Sequence, residues 1–211
     1  SNNEVSFNNY KFANSYIVQF DDFGKKIFKK VLNKFPNSNI IIGPLYDQEA
    51  LSELSSELST NKNIKLCIAS DIVKEYINES TLFNIPEEQI VVLPIGVIEQ
   101  AKKSKKIKKD NKLKCLIYFK KRNIEELNLI IESLKNREID YKVFKYGSYN
   151  NRNLIKYAKE ADFGIILDKT ESQGIATLEI MSCGLPLIVC EYRIIEKNGK
   201  NFKSTSVPYW S

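Results

Sequence analysis

The chain has 211 residues, a formal net charge of +6 and no histidine. Its length fits one large or two small domains, and its 43% hydrophobic residues can form a core, which argues against an intrinsically disordered chain. The missing histidine excludes sites that need an imidazole base or ligand. No apolar run approaches the roughly 20 residues of a membrane span, and no signal peptide is evident, so we expect a soluble cytoplasmic protein, at most peripheral to a membrane.

In the first half of the chain, short β-rich runs alternate with helical patterns, which is typical of parallel sheets. Pro36 ends the first predicted helix, and Ser70 and Asp71 offer N-cap oxygens to the third, which runs to Ile77. The predicted strands are 16–20, 39–42, 64–69 and 89–93, and the other predicted helices are 23–35 and 48–58. We therefore predict a small sheet domain over residues 1–98.

A lysine-rich linker is predicted at residues 99–112. The run KKSKKIKKDNKLK, 102–114, contains eight lysines and one aspartate. Such a run is most often a solvated linker, and two alternatives stay open, namely attraction of a phosphorylated ligand and peripheral contact with an anionic membrane face. We expect no nucleic-acid binding, because the run lacks the interleaved aromatic residues and arginines that such binding favours.

The alternation of strands and helices restarts after this run. Asn123 and Glu126 have the spacing of a capping box at the start of a helix. The predicted strands are 113–119, 141–146, 163–167 and 185–190, and the predicted helices are 124–134, 153–161 and 174–183. Continuous apolar strands indicate a parallel sheet covered on both faces, so residues 113–211 are predicted to form a doubly wound domain. Residues 200–211 contain no predicted strand or helix, and we expect this domain to be incomplete at its C-terminus.

The four cysteines are Cys67, Cys115, Cys183 and Cys190. They lie in or beside apolar runs and show no C-x-x-C spacing. We interpret them as reduced core thiols of a cytosolic protein.

The run TESQGIATLEIMSCGLPLIV, 170–189, carries two glutamates on either side of a glycine. The preceding strand runs to Asp168 and a helix is predicted from Gly174, so Glu171 lies in the loop and Glu179 in the second helical turn. A helix start offers free N–H groups to a phosphate, and carboxylates accept hydrogen bonds from vicinal hydroxyls. This arrangement suits a nucleotide sugar. The alternative is that both acids are ordinary helix residues, one of which complements the helix dipole.

This run resembles the E-x7-E motif of retaining glycosyltransferases with the glycosyltransferase-B fold, family four in particular. The pattern E-x-x-G-x-x-x-x-E-x-x-x-x-G-x-P is met at Glu171, Gly174, Glu179, Gly184 and Pro186. Residues 67–97 and 145–168 are also similar to segments of this family, so the resemblance covers roughly residues 65–210. It implies two Rossmann-like domains of the glycosyltransferase-B type, with an N-terminal acceptor-side domain that is reduced or truncated.

The resemblance also implies roles for individual residues. Glu171 would contact the transferred sugar as the catalytic residue, and Glu179 would hold the nucleotide ribose. The other implied donor-binding residues are Gln173, Gly174, Ile175 and Ala176 beside the diphosphate and sugar, Lys120, Lys121 and Arg122 as neutralising cations, and Tyr146 and Gly147 beside the base. For the three cations, a solvated basic turn is the alternative interpretation. No Asp-x-Asp stands in a convincing metal-binding position, so we expect neither a metal nor a cofactor beyond the donor.

These observations lead to one leading hypothesis and two alternatives. The first is transfer of a sugar from a nucleotide-diphosphate sugar, with retention of configuration, to a glycan, lipid or protein acceptor. The second is a non-catalytic nucleotide- or sugar-binding module of the same fold. The third is a basic protein that binds nucleic acid or a membrane surface through the lysine-rich run. The sequence leaves the donor base, the sugar, the acceptor and the linkage open.

Overall fold

The computed structural model describes residues 15–18, 22–43, 48–80, 83–100, 112–197 and 199–208. The chain divides into two compact units, Ser1–Pro94 and Ile95–Ser211. Each unit contains a parallel four-stranded sheet with helices between its strands, which confirms the predicted α/β, Rossmann-like architecture. Residues 101–111, most of the predicted lysine-rich linker, lie outside the described residues.

The sheet of the first unit runs in chain order, β1-β2-β3-β4. Its core is formed by apolar side chains of the strands and helices, such as Phe28, Ile42, Leu58 and Leu66. The elements are β1 (Ser15–Val18), α1 (Asp22–Lys34), β2 (Asn39–Ile42), α2 (Gln48–Thr60), β3 (Ile64–Ile68), α3 (Asp71–Glu79), a 3-10 turn (Glu87–Gln89) and β4 (Ile90–Val92).

The sheet of the second unit has the order β6-β5-β7-β8, and all of its pairs are parallel. Alternate residues of β5 enter two different cores, Leu116 and Tyr118 on one face and Cys115 and Ile117 on the other. Both faces are covered, which explains the continuous apolar runs. The elements are β5 (Lys114–Lys120), α4 (Ile124–Lys135), β6 (Asp140–Lys145), α5 (Asn151–Glu160), β7 (Phe163–Asp168), α6 (Ile175–Ser182), β8 (Leu187–Val189), β9 (Ile194–Lys197) and β10 (Lys200–Lys203).

The strand order of this sheet reverses between β5 and β7. The chain passes from β5 to β6 on one side, then crosses back to place β7 on the other side of β5. In such sheets a crevice opens at the carboxyl ends of the two strands, and ligands bind there. The register pairs Lys120, the last residue of β5, with Asp168, the last residue of β7. These two residues therefore mark the floor of the crevice.

The prediction of no strand after residue 200 is wrong. Lys200–Lys203 pairs in antiparallel fashion with Ile194–Lys197, and Gly199 adopts a positive φ of 72° in the turn between them. The hairpin was not predicted because residues 200–203 have the sequence KNFK, in which a single apolar side chain is too weak a pattern to indicate a strand.

The predicted capping box at α4 does not form. Asn123 occupies the N-cap position without a side-chain capping hydrogen bond. The Glu126 carboxylate instead accepts a hydrogen bond of 2.6 Å from Nε of Arg122. An ionised donor makes a stronger hydrogen bond to a carboxylate than a neutral donor does. The Arg122 guanidinium is therefore preferred over the neutral backbone N–H of Asn123.

All four cysteines are free thiols. Cys67, Cys115 and Cys183 are buried and Cys190 is half-buried. Burial raises the pKa of Cys115 to about 12, as expected of an unreactive core thiol. Within the described part of the chain, none of the helices has the length and apolar character that crossing a membrane requires.

Candidate functional site

Three charged side chains meet at the carboxyl ends of β5 and β7. Nζ of Lys120 lies 2.5 Å from Oε2 of Glu171 and 3.5 Å from Oδ2 of Asp168. The side chains are almost inaccessible to solvent, with exposed fractions of 8% for Lys120, 9% for Glu171 and 0% for Asp168. The structure thus brings together Lys120 and Glu171, which the sequence predicted, with Asp168, whose role it did not predict.

The burial of two carboxyl groups with one ammonium group determines their protonation. Burial is the largest single influence, and alone it would lower the pKa of Lys120 and raise that of Glu171. The attraction and hydrogen bond between the two, together with Asp168 and, for Glu171, the Gly174 amide, outweigh burial, so the pKa of Lys120 is raised and that of Glu171 lowered. Burial raises the pKa of Asp168 to about 7, against the opposing pull of Lys120. Lys120 and Glu171 therefore form the ion pair, and Asp168 is the one of the two carboxyl groups that more readily holds a proton.

The Asp168 carboxyl group is only partly satisfied by hydrogen bonds. Its Oδ1 accepts from the backbone N–H of Thr170 at 3.1 Å. Its Oδ2 is buried without a hydrogen-bond partner among the described residues. A proton on this oxygen would make it a donor toward Glu171, which agrees with the raised pKa of Asp168.

Asp168→Asn is expected to remove part of the pH dependence of stability. An aspartate in an unfolded chain has a pKa of about 3.9, whereas burial raises the pKa of Asp168 to about 7. Between these values the folded state binds more protons, so stability falls as the pH rises, by at most about 1.4 kcal/mol per pH unit. Urea unfolding across this range should show the wild type losing stability relative to the variant. Asp140→Asn, at an exposed position, is the control, and a wild-type slope in Asp168→Asn would contradict the expectation.

The loop after β7 curls around the Glu171 carboxylate. Oε1 of Glu171 accepts hydrogen bonds from the backbone N–H groups of Ser172, at 3.0 Å, and Gln173, at 3.3 Å. Gly174 then adopts the left-handed conformation, with φ of 63°, as the N-cap of α6. A side chain at this position would be strained, so glycine permits the sharp entry into the helix. Among the predicted diphosphate-facing residues, the Gln173 amide is thus directed at Glu171.

The backbone amides of Ile175 and Ala176, which were predicted to face the diphosphate, lie at the start of α6, at the edge of the crevice. Ile175 and Ala176 are the first two residues of this helix, and Ile175 is exposed. The first N–H groups of a helix have no partner within it, and they carry the positive end of the dipole. These two amides are therefore placed where an anionic group could be bound.

Glu179 lies in the second turn of α6 and contacts the neighbouring helix. Its Oε1 accepts a hydrogen bond of 2.8 Å from Nδ2 of Asn151, the first residue of α5. Asn151 was not among the predicted site residues, because the predicted start of α5 lies two residues later. The signal was present in the pair Asn150-Asn151, since Asn150 is the N-cap and accepts a hydrogen bond from the Arg152 amide.

The three predicted cations have three different surroundings. Lys120 is buried in the ion pair, whereas Lys121 is exposed and has a positive φ of 53°. The Arg122 guanidinium forms an ion pair with Glu126, donates to the carbonyl of Cys190 at 2.8 Å and lies 5.0 Å from the ring centre of Tyr192. Of the three, Lys121 is therefore the side chain most accessible to an anionic ligand.

Tyr146 and Gly147 form the turn after β6, at the same edge of the sheet. Nζ of Lys120 lies 4.8 Å from the centre of the Tyr146 ring. Tyr146 is 60% exposed, and Gly147 has a positive φ of 76°. The ring covers the buried cation on one side and offers an aromatic surface to a planar ligand group on the other.

A further segment that the sequence analysis missed is 204–207, which follows β10. The Glu171 amide donates to the Thr205 carbonyl at 3.0 Å. The hydroxyl of Ser206 donates to the Asp168 carbonyl at 2.7 Å. The composition of this segment gave no signal, because serine and threonine in a chain end usually indicate a loop.

Among the residues that the structure describes, no group of three histidine, cysteine, aspartate or glutamate side chains could hold a metal ion. The two acids of the crevice, Asp168 and Glu171, surround a lysine instead. The independence from metal remains an expectation.

Comparison with known proteins bears on this crevice. No curated protein matches the chain. Residues 83–204, more than half of the 211, match the family of group 1 glycosyl transferases. The matched region contains β5 to β10 and the crevice residues from Lys120 to Glu179, whereas Thr205 and Ser206 follow its last residue. The chain therefore belongs to the group 1 glycosyl transferases.

Proposed function

We propose that this protein transfers a sugar from a nucleotide-diphosphate sugar to an acceptor, with retention of configuration and without a metal. One observation carries the proposal: the two glutamates of the E-x7-E pattern flank the start of α6, beside the reversal in strand order, within the region that matches the family. The acceptor class remains open among glycans, lipids and proteins.

Glu179 and Tyr146 are proposed to bind the nucleoside. The Glu179 carboxylate has one oxygen bonded to Asn151 and further lone pairs that can accept from the two ribose hydroxyls. The exposed face of Tyr146 suits a stacked base. Together, these contacts would fix the donor at the end away from the reacting bond.

Glu171 is proposed to contact the transferred sugar. Lys120 and the loop amides hold its carboxylate in one orientation, so little ordering is needed when the sugar arrives. A carboxylate has about four acceptor positions; Lys120 and the two amides occupy three of them, so one sugar hydroxyl can add to the existing contacts. The negative charge near the anomeric carbon would also stabilise positive charge that develops there.

The departing diphosphate gains charge as the glycosidic bond breaks. The amides of Ile175 and Ala176 and the exposed ammonium group of Lys121 are proposed to stabilise it. Arg122, which the resemblance also assigns to this role, would have to leave Glu126 and the Cys190 carbonyl to take part. The resemblance implies that the leaving phosphate itself accepts the proton of the acceptor hydroxyl. A chain with no histidine is compatible with this, because the phosphate takes the place of a side-chain base.

The first test is a thermal-shift panel of UDP, GDP, ADP and their sugar conjugates. A ligand that binds only the folded state at about a hundred times its Kd adds about 2.7 kcal/mol of stability. We expect one nucleotide series to raise the melting temperature and its sugar conjugate to raise it further. Incubation with the labelled conjugate should then release free nucleotide through transfer or slow hydrolysis. A panel with no stabilising nucleotide would refute the proposal.

The commitment of Lys120 and Arg122 to internal contacts favours a second candidate, a binding module that holds a nucleotide sugar without transfer. Two of the three cations expected at the diphosphate are engaged by Glu171 and Glu126. The labelled conjugate separates the candidates, because a binding module would retain it without transfer or hydrolysis.

Glu179→Ala is expected to weaken nucleotide binding. Hydrogen bonds to charged groups contribute about 1.5–3 kcal/mol each, so loss of the ribose contact should raise the Kd of the nucleotide about 10- to 100-fold. Isothermal titration with the nucleoside diphosphate identified by the panel measures the change. Glu132→Ala, at an exposed position of α4, is the matched control. An unchanged Kd in Glu179→Ala would rule out the ribose contact.

A further inference from the structure

Residues 204–207, here called the strap, hold the backbone of the loop that carries Glu171. Oγ of Ser204 donates to the Lys169 carbonyl at 3.1 Å, and the Thr205 carbonyl accepts from the Glu171 amide at 3.0 Å. Oγ of Ser206 donates to the Asp168 carbonyl at 2.7 Å. The strap therefore bonds to three of the four residues from 168 to 171. Because Asp168 and Glu171 are the two ends of this stretch, its backbone position sets where their carboxyl groups lie.

Ser206 is the central residue of the strap. It is completely buried, and its hydroxyl oxygen accepts from the Tyr192 amide at 3.1 Å while also lying 3.3 Å from the Cys190 carbonyl. Its own amide donates to Oε1 of Glu191 at 2.9 Å. One small side chain thus joins the end of β7 to the segment that follows β8. Loss of its hydroxyl would remove the acceptor of the Tyr192 amide and the shortest hydrogen bond to the Asp168 carbonyl.

The shape of the strap does not depend on the Ser206 hydroxyl. Thr205 closes a local turn, in which its Oγ1 donates to the Val207 carbonyl at 3.0 Å and accepts from the Val207 amide at 3.1 Å. The Cys190 carbonyl also keeps its hydrogen bond from Arg122. The Asp168 carbonyl would keep only the longer hydrogen bond, of 3.4 Å, from Nη1 of Arg122. Removal of the hydroxyl should therefore loosen the Asp168 end of the loop while the strap and the neighbouring strand ends remain in place.

We propose that Ser206 is a positioning residue that fixes the Glu171 loop. The proposal rests on the proposed function for its catalytic consequence. A carboxylate must face the reacting sugar with an accuracy of well under 1 Å, and a misplacement of about 1 Å can cost a hundredfold in rate. Ser206 acts on the backbone three residues before Glu171, at Asp168. It touches neither the donor nor the reacting atoms in this role.

The test compares the full chain with Ser206→Ala, which removes the hydroxyl, and Ser206→Thr, which keeps it. Leu134→Val is the control for general destabilisation. Leu134 is a core residue at the C-terminal end of α4, and its carbonyl accepts from the Ile139 amide just before β6, at the opposite edge of the sheet from Glu171. The measurements are amide hydrogen exchange by NMR, the Kd of UDP, GDP and ADP, and the kcat and donor KM for their sugar conjugates.

In Ser206→Ala, we expect the amides of Glu171, Ser172 and Gln173 to exchange about tenfold faster or more, while the β5 amides keep the wild-type rate. We expect kcat to fall by about tenfold to a hundredfold. The nucleotide Kd should be unchanged, because Glu179 lies within α6 and not in the Glu171 loop. Ser206→Thr should restore both the exchange rates and kcat. Leu134→Val should lower the melting temperature without either effect.

Unchanged exchange of the three loop amides in Ser206→Ala would overturn the proposal. The same holds if its kcat falls no more than that of Leu134→Val at an equal loss of melting temperature. If the wild type neither binds nor turns over any probe, the proposed function fails, but the exchange rates still decide whether Ser206 holds the Glu171 loop. The two failures are therefore distinguishable.

Discussion

Glu171→Gln is expected to lower the rate constant of sugar transfer by about 10²- to 10³-fold, the loss typical when one preorganised charge-stabilising group is removed. Glutamine keeps an oxygen for the Ser172 and Gln173 amides, so the loop should retain its path. Because the nucleoside contacts of Glu179 and Tyr146 are not altered, the Kd of the bare nucleotide should remain within about twofold. Steady-state kinetics with the labelled donor, together with calorimetric titration of the nucleotide, measures both quantities.

Glu179→Ala supplies the comparison for this prediction. It should raise the nucleotide Kd, whereas Glu171→Gln should reduce turnover, so the two variants have opposite signatures. Glu171→Ala should reduce turnover at least as strongly as Glu171→Gln, and it should also destabilise the fold, because the buried Lys120 would keep only the more distant Asp168 carboxyl group as a partner. Wild-type turnover in both Glu171 variants would defeat the assignment.

Lys120→Met is expected to destabilise the second unit by about 3–5 kcal/mol, the cost of removing one partner from a buried ion pair. Without the ammonium group, Glu171 and Asp168 lie in a nearly solvent-free site without their compensating cation. Urea unfolding at neutral pH, with the unfolding of each unit followed separately, measures the loss of stability. Lys121→Met, which removes the neighbouring exposed ammonium group, is the matched control and should have little effect.

A double variant tests the electrostatic origin of this loss. Lys120→Met combined with Glu171→Gln removes the ion pair as a whole, so it should recover a large part of the stability that Lys120→Met alone loses. A double variant that is as unstable as the sum of its parts would show that packing of the lysine stem, and not the charge, accounts for the effect.

The sequence allowed the architecture to be predicted because parallel strands buried on both faces appear as unbroken apolar runs. Residues 114–120 and 163–168 are such runs, and their pairing in the same sheet places Lys120 beside Asp168. The position of Glu171 near that edge follows from its place three residues after β7. What the pattern could not show is the ion pair itself, since Lys120 and Glu171 are 51 positions apart and their protonation depends on burial.

Local sequence rules failed where another partner competed for a side chain. Asn123 and Glu126 have the spacing of a capping box, yet Arg122 takes the carboxylate and also reaches the carbonyl that follows β8. The sequence likewise assigned Lys120, Lys121 and Arg122 to one ligand, although the first is buried and the third is fixed by other contacts. Adjacent residues at a strand end point in different directions, so equal charge does not imply a shared task.

The bond between Ser206 and Asp168 has a consequence for the order in which the protein assembles during synthesis. The two residues are 38 positions apart, and a chain leaves the ribosome from its N-terminus at about 5–20 residues per second. The pairing of β5 with β7 requires the chain only up to residue 168, whereas the bonds that Thr205 and Ser206 make to this stretch require it up to residue 206. During synthesis, the sheet can therefore form before the contacts that steady Glu171, and never the reverse.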